Sequence, residues 1–229
     1  MKTIGLLGGM SWESTQTYYR LLNENVKTAL GGLHSAKVVL FSVDFAEIES
    51  LQHQGNWDET GRILSEAARG VESAGAEVLL IGTNTMHKVA PQIEAAISIP
   101  LLHIADATAQ VLLVAGIDRI GLLGTRFTME QAFYRERLEA KGIEVLTPNA
   151  TQRDRVHQII YEELCQGVIS ERSRSEYLAV VDDLAVHGAQ GVILGCTEIG
   201  LLIQQAHTPV PLYDTTRLHA GQAVAYALG

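Results

Sequence analysis

Cysteine is scarce in this chain: Cys165 and Cys196 are the only two among 229 residues. Their spacing fits neither a zinc cluster nor a redox pair. Positive charge is also short, with 17 Lys and Arg against 26 Asp and Glu, a formal net charge of -9. That balance argues against a general nucleic-acid or anionic-membrane surface, although local donors still permit recognition of a small anion. No uninterrupted apolar run reaches transmembrane length, so no membrane association is expected. Gly5-x-x-Gly8-Gly9 is not the G-x-G-x-x-G fingerprint, and its counterpart Gly121-x-x-Gly124 is weaker still. No acidic residue is placed to meet a ribose hydroxyl, and a Walker A loop is absent, so no nucleotide cofactor is expected. His87, His187 and His207 show no compact metal-binding pattern, and no metal is expected. The opening Met1-Lys-Thr-Ile-Gly-Leu-Leu-Gly-Gly enters a strand too quickly for a signal peptide. The expected location is the cytoplasm, with both thiols reduced.

What the chain does contain is itself, twice. Gly75-Ala-Glu-Val-Leu-Leu-Ile-Gly82-Thr83-Asn84-Thr85 returns 113 residues later as Gly188-Ala-Gln-Gly-Val-Ile-Leu-Gly195-Cys196-Thr197-Glu198. Ile4-Gly-Leu-Leu-Gly8 returns as Ile120-Gly-Leu-Leu-Gly124 at an offset of 116, and Ile99-Pro100-Leu101 as Val210-Pro211-Leu212 at 111. Three matches in one order indicate a domain duplication, since solenoid units are much shorter. The expected organisation is a first lobe at 1–113, a second at 114–214, and a C-terminal helix at 215–229 packing back on the first.

Short runs rich in Ile, Leu and Val mark strands at 3–7, 38–42, 78–81, 101–103, 120–123, 144–146, 192–194 and 211–213. Such runs suit strands covered on both faces. Amphipathic segments at 12–28, 57–73, 129–140, 153–164 and 172–187 predict the helices between them. The fold class is therefore α/β: two similar doubly wound parallel-sheet lobes wrapped by helices, with a functional cleft expected between them.

Ligand sites in such sheets lie beyond the carboxyl ends of the strands. Gly8-Gly9, Gly82 to Thr85, His103, Gly124-Thr125, Gly195 to Glu198 and Asp214 to Thr216 all follow strands directly. Thr83 and Cys196 occupy equivalent places and would approach one ligand from opposite sides. Backbone N–H groups at a helix start would favour a thiolate at Cys196. Cys165 packs or lines the site. Asn84, Thr85, Thr125 and Thr197 offer neutral groups that, with backbone N–H groups, hold a carboxylate; N-capping is their structural alternative. Glu198 receives a substrate ammonium, orients a neighbour, or serves as a first-turn helix acid. His103 and Asp214 are repeat equivalents, each able to orient a base or to act structurally.

These motifs resemble the aspartate/glutamate racemase family, whose usual central motifs are C-N-T-x-H and G-C-T-E. The resemblance covers essentially the whole chain: Gly8-Gly9-Met10, Thr83-Asn84-Thr85-Met86-His87, Gly195-Cys196-Thr197-Glu198 and Asp214-Thr215-Thr216. It implies two similar lobes related by a pseudo-twofold axis with the active site in the cleft between them, and an amino acid racemase without pyridoxal phosphate, usually a homodimer, acting on a small amino acid. It places proton transfer on Thr83 and Cys196, with Met10, Gln52, Asn84, Thr85, Thr125, Cys165, Thr197 and Glu198 around the substrate. Cys196 would take the proton of an L-amino acid and Thr83 would reprotonate the opposite face. Thr83 departs from the family's cysteine, and a hydroxyl makes a poor base, so an L-biased enzyme is expected. Acid-specific members place positive side chains in regions that here read Glu47 to Gln52 and Leu164-Cys165-Gln166, without Lys or Arg. Aspartate or glutamate is the family default, and a broader or neutral substrate range stands beside it. Alternatives are a single-cysteine decarboxylase of the same superfamily and an inert amino-acid-binding module.

Overall fold

The computed structural model describes every residue, Met1–Gly229. In order, its elements are β1 (Ile4–Gly8), α1 (Trp12–Leu30), β2 (Val38–Ser42), α2 (Phe45–His53), α3 (Trp57–Ser73), β3 (Val78–Ile81), α4 (Ala90–Glu94) and α5 (Ile104–Val114). Then come β4 (Arg119–Gly124), α6 (Arg126–Glu130), α7 (Ala132–Glu139), β5 (Glu144–Leu146), α8 (Ala150–Glu162), α9 (Glu171–Val186), β6 (Val192–Gly195), α10 (Ile199–Leu202), β7 (Leu212–Asp214) and α11 (Thr215–Leu228). Short 3-10 turns lie at Thr85–Val89, Leu164–Gln166 and Gln205–His207. No helix is long and apolar enough to cross a membrane.

The chain divides into two compact units, Met1–Ile104 with His219–Gly229, and Ala105–Leu218. Each carries one wholly parallel sheet, in the order β2-β1-β3 and β5-β4-β6-β7. Their central registers coincide at the repeat offsets: Gly5 pairs with Leu79, and Gly121 with Val192. Parallel pairing requires a crossover, which α3 and α9 supply. Both crossovers end in the same turn, where Gly75 (φ +94°) and Gly188 (φ +98°) adopt a backbone that L side chains rarely reach.

The first unit's apolar faces are covered on both sides. Leu7, Ile48, Leu64, Val71, Leu79 and Ile81 form one buried cluster, and Ile4, Leu6, Tyr18, Leu22, Ala220 and Val224 belong to another. In the second unit Leu123, Val156, Ile159, Tyr177, Val181 and Leu194 share a single cluster. Each fully buried Leu, Ile or Val stabilises the unit by roughly 1.5–3 kcal/mol relative to exposure.

Two elements depart from the sequence expectation. The helix expected at 129–140 is broken at Gln131, whose extended backbone (φ -86°, ψ 150°) separates α6 from α7. Apolar spacing does not register the break, because Met129, Tyr134 and Leu138 are all buried on either side of it. The strand expected at 101–103 is reduced to one parallel bridge, Leu79 to Leu101. Leu79 donates to the Pro100 carbonyl at 2.9 Å and accepts from the Leu102 amide at 3.0 Å. A parallel ladder would next use the Leu102 carbonyl and the Ile104 amide. Both are taken by side chains: His219 Nε2 meets the Leu102 carbonyl at 2.8 Å, and the Ile104 amide donates to His87 Nε2 at 3.2 Å. In the second sheet the equivalent bridge, Val192 to Leu212, continues through Tyr213 and Asp214 as β7.

Candidate active site

Glycine precedes both proposed acid–base residues for one steric reason. A Cβ at Gly82 would lie 3.0 Å from the Leu7 carbonyl oxygen, and one at Gly195 would lie 2.7 Å from that of Leu123. The strand ends are therefore pressed against their neighbours, and Thr83 and Cys196 are the first residues beyond them to carry a side chain.

In the first unit, side chains fix the peptides on either side of Thr83. Ser14 Oγ donates to the Gly82 carbonyl at 3.0 Å, and His87 Nδ1 donates to the Thr83 carbonyl at 2.8 Å. Thr83 is half-buried, while Asn84, Thr85 and His87 are buried. The His87 ring stands 4.4 Å from that of His103 and 5.8 Å from that of His219, centroid to centroid. His219 is fully enclosed, and burial lowers its pKa to about 4. Tyr18 Oη lies 2.8 Å from its Nδ1. Since the Leu102 carbonyl only accepts, His219 carries its proton on Nε2 and Tyr18 donates to Nδ1. Met10 joins the core of this unit, and Gln52 is buried on α2.

The second unit gathers Cys196, Thr197 and Glu198 into one cluster. Cys196 Sγ and Thr197 Oγ1 both donate to Glu198 Oε2, each at 2.8 Å. Burial pushes the Cys196 thiol well above its usual range, and the Glu198 and Cys165 charges push it further. The expected thiolate preference is thus reversed. Helix α10 is only one turn and begins at Ile199, so the donors of a long helix start are missing. A backbone hydrogen bond from Glu198 pulls the other way and ranks last among the influences on the sulfur. Cys165, on the 3-10 turn Leu164–Gln166, is half-buried against the same core.

Thr125 caps α6, its Oγ1 accepting from the Thr128 amide at 3.3 Å. Asp214 caps α11: its Oδ1 accepts from the Thr216 and Arg217 amides at 2.9 and 3.2 Å. Sequence reading overlooked Ser14, His219 and Tyr177. Tyr177 Oη donates to the Val156 carbonyl at 3.0 Å, and its pKa is raised first by burial, then by the Cys196 and Cys165 thiols. A buried tyrosine in the middle of α9, outside every motif, carries no sequence signal.

Comparison with known proteins follows this geometry. A structure of a putative Asp/Glu racemase from Yersinia pestis is 59% identical and covers 100% of both chains, with a TM-score of 0.93. An aspartate racemase homologue from Pyrococcus horikoshii OT3 is 33% identical over 100% of both chains, with a TM-score of 0.87. The broad specificity amino-acid racemase RacX of Bacillus subtilis (strain 168) is 22% identical over 97% of this chain and 96% of its own length. The family model described as Asp/Glu/Hydantoin racemase matches residues 7–223. The chain belongs to that family of racemases, which work without pyridoxal phosphate.

Proposed function

We propose that Cys196 and Thr83 serve opposite faces of one amino acid α-carbon. The observation that carries this reading is the Cys196 thiol donating to buried Glu198 at 2.8 Å. Glu198 takes the thiol proton, and the resulting thiolate removes the α-proton of an L-amino acid. The Thr83 hydroxyl then delivers a proton to the opposite face of the planar carbanion and is reprotonated from solvent, while Glu198 releases the proton it took to solvent, so the resting state is restored. Thr125 and Thr197, with Asn84 and Thr85, hold the α-carboxylate through hydroxyls, amides and backbone N–H groups. Met10, Gln52 and Cys165 line the side-chain end.

Aspartate or glutamate is the default substrate, as the description of the Yersinia pestis relative suggests. A neutral side chain is the second reading. It is favoured by the lack of Lys and Arg at 47–52 and 164–166, because a buried carboxylate without a cation is costly. We further assign the enzyme to the cytoplasm as a homodimer; light scattering at one-subunit mass would remove the dimer.

The test is incubation with separate L- and D-amino acids in deuterated water, following α-hydrogen exchange and inversion independently. Exchange from the L-form should fall by about 10²- to 10⁴-fold in Cys196→Ala, the usual contribution of a positioned acid–base group. Binding without exchange, or carbon dioxide release from a substituted malonate instead, would sink the racemase mechanism.

A further inference from the structure

His87 touches two segments at once. Its Nδ1 meets the Thr83 carbonyl at 2.8 Å, and its Nε2 accepts from the Ile104 amide at 3.2 Å. A carbonyl only accepts and an amide N–H only donates, so one tautomer satisfies both contacts: proton on Nδ1, lone pair on Nε2. The imidazole is 2% exposed and walled by the His103 and His219 rings. Its anchor is firm, because the Leu102–Ile104 backbone is also gripped by His219 through the Leu102 carbonyl. On the other side of Thr83, Ser14 holds the Gly82 carbonyl.

We infer that His87 is a positioning residue that sets the Thr83 hydroxyl by clamping the Thr83 carbonyl to the segment entering α5. This rests on the reading of Thr83 as proton donor. A hydroxyl far from its optimal pKa depends on geometry more than a thiol does, and a displacement of about 1 Å can cost about a hundredfold in rate. His87 does not contact the reacting carbon. Its effect passes through the peptide that carries Thr83.

Two substitutions separate its contacts. An asparagine amide nitrogen occupies roughly the place of Nδ1, and a glutamine oxygen reaches roughly that of Nε2. His87→Asn should therefore keep the bond to Thr83 but release Ile104, and with the clamp open at that end it too should lose inversion by about tenfold. His87→Gln should keep the bond to Ile104 and lose inversion by about tenfold or more. In His87→Gln, α-hydrogen exchange from the L-enantiomer, which needs only Cys196, should stay within about threefold, and KM should be unchanged. In a Thr83→Ala background His87→Gln should cause no further loss, since coupled residues are non-additive. Equal loss of exchange and inversion, inversion like wild type, or effects that multiply with Thr83→Ala would each overturn the proposal. Should either variant fail to fold, nitrogen-15 NMR of the wild-type protein reads the tautomer directly. A proton on His87 Nε2 would overturn the clamp, and one on Nδ1 supports it. Wild-type protein inactive on every amino acid would instead remove the racemase reading while the tautomer result still judged the clamp.

Discussion

The two sheets share a backbone plan down to individual rungs, yet they hold their strand-end residues by different means. At Leu79 and Val192 the same amide bonds the carbonyl of an equivalent proline, Pro100 at 2.9 Å or Pro211 at 2.8 Å. Beyond that rung the second sheet goes on as β7, and Thr215 Oγ1 adds a bond to the Leu194 carbonyl at 2.9 Å. The first sheet stops, and two histidines take the backbone groups that the next rung would have used. Thr83 is gripped through its peptide by Ser14 and His87, whereas Cys196 is gripped through its side chain by Glu198. Main-chain pairing is thus alike in both halves while the side-chain wiring differs, and the difference sits at the two residues proposed to serve the α-carbon. A hydroxyl needs orientation. A thiol needs somewhere to send its proton.

Placing sulfur in the first half should have the largest effect. Thr83→Cys should raise inversion by about 10²- to 10⁴-fold, the span of a positioned acid–base group. Because enantiomers have equal free energy, kcat/KM must rise by the same factor from both directions. A chiral assay at low concentrations of each enantiomer checks this, and a gain from one side alone would expose an artefact. The second effect concerns the histidine brace. His219 falls from its ordinary 6.5 to about 4 on burial. The unfolded chain therefore binds a proton that the folded one refuses. Stability is full above about pH 6.5 and is lost as pH falls toward about 4, by about 3 kcal/mol. Urea unfolding across that window should show the loss, and His219→Gln should flatten the slope.

A smaller change addresses the second half. Glu198→Gln removes a charge that raises the Cys196 thiol, which should titrate lower by ultraviolet absorbance although burial, the larger influence, remains. Inversion should nevertheless fall by about tenfold, because the thiol proton has lost its acceptor. Unchanged inversion would deny Glu198 that role. The smallest effect compares equivalent turns. Gly75→Ala should cost about 1–2 kcal/mol in backbone strain alone. Gly188→Ala should cost slightly more, because its Cβ would come within 2.8 Å of Arg119 Nη1. Thermal unfolding of both variants reads the difference.

The repeat offsets revealed the duplicated scaffold because parallel strands must keep their register to bury both faces. Strand-end glycines were legible for a similar reason: only glycine tolerates the neighbouring carbonyl. The brace was not legible. Tyr18 and His219 are 201 residues apart, and a lone histidine inside a helix has no periodic partner to announce it. Pattern reading also overshot at 101–103, where an apolar run looks like a strand although side chains have captured its hydrogen bonds. The Cys196 thiol was misjudged because a glycine-cysteine-threonine turn suggests backbone donors, whereas the fold buries the sulfur and then sets a carboxylate against it.

A sulfur that keeps its hydrogen and shares it with a carboxylate is a sluggish nucleophile toward anything but the intended reaction. The resting protein should therefore tolerate peroxides and resist electrophilic warheads that label ordinary active-site cysteines. Inhibitors that mimic the flat carbanion are the better starting point for anyone who wishes to block it.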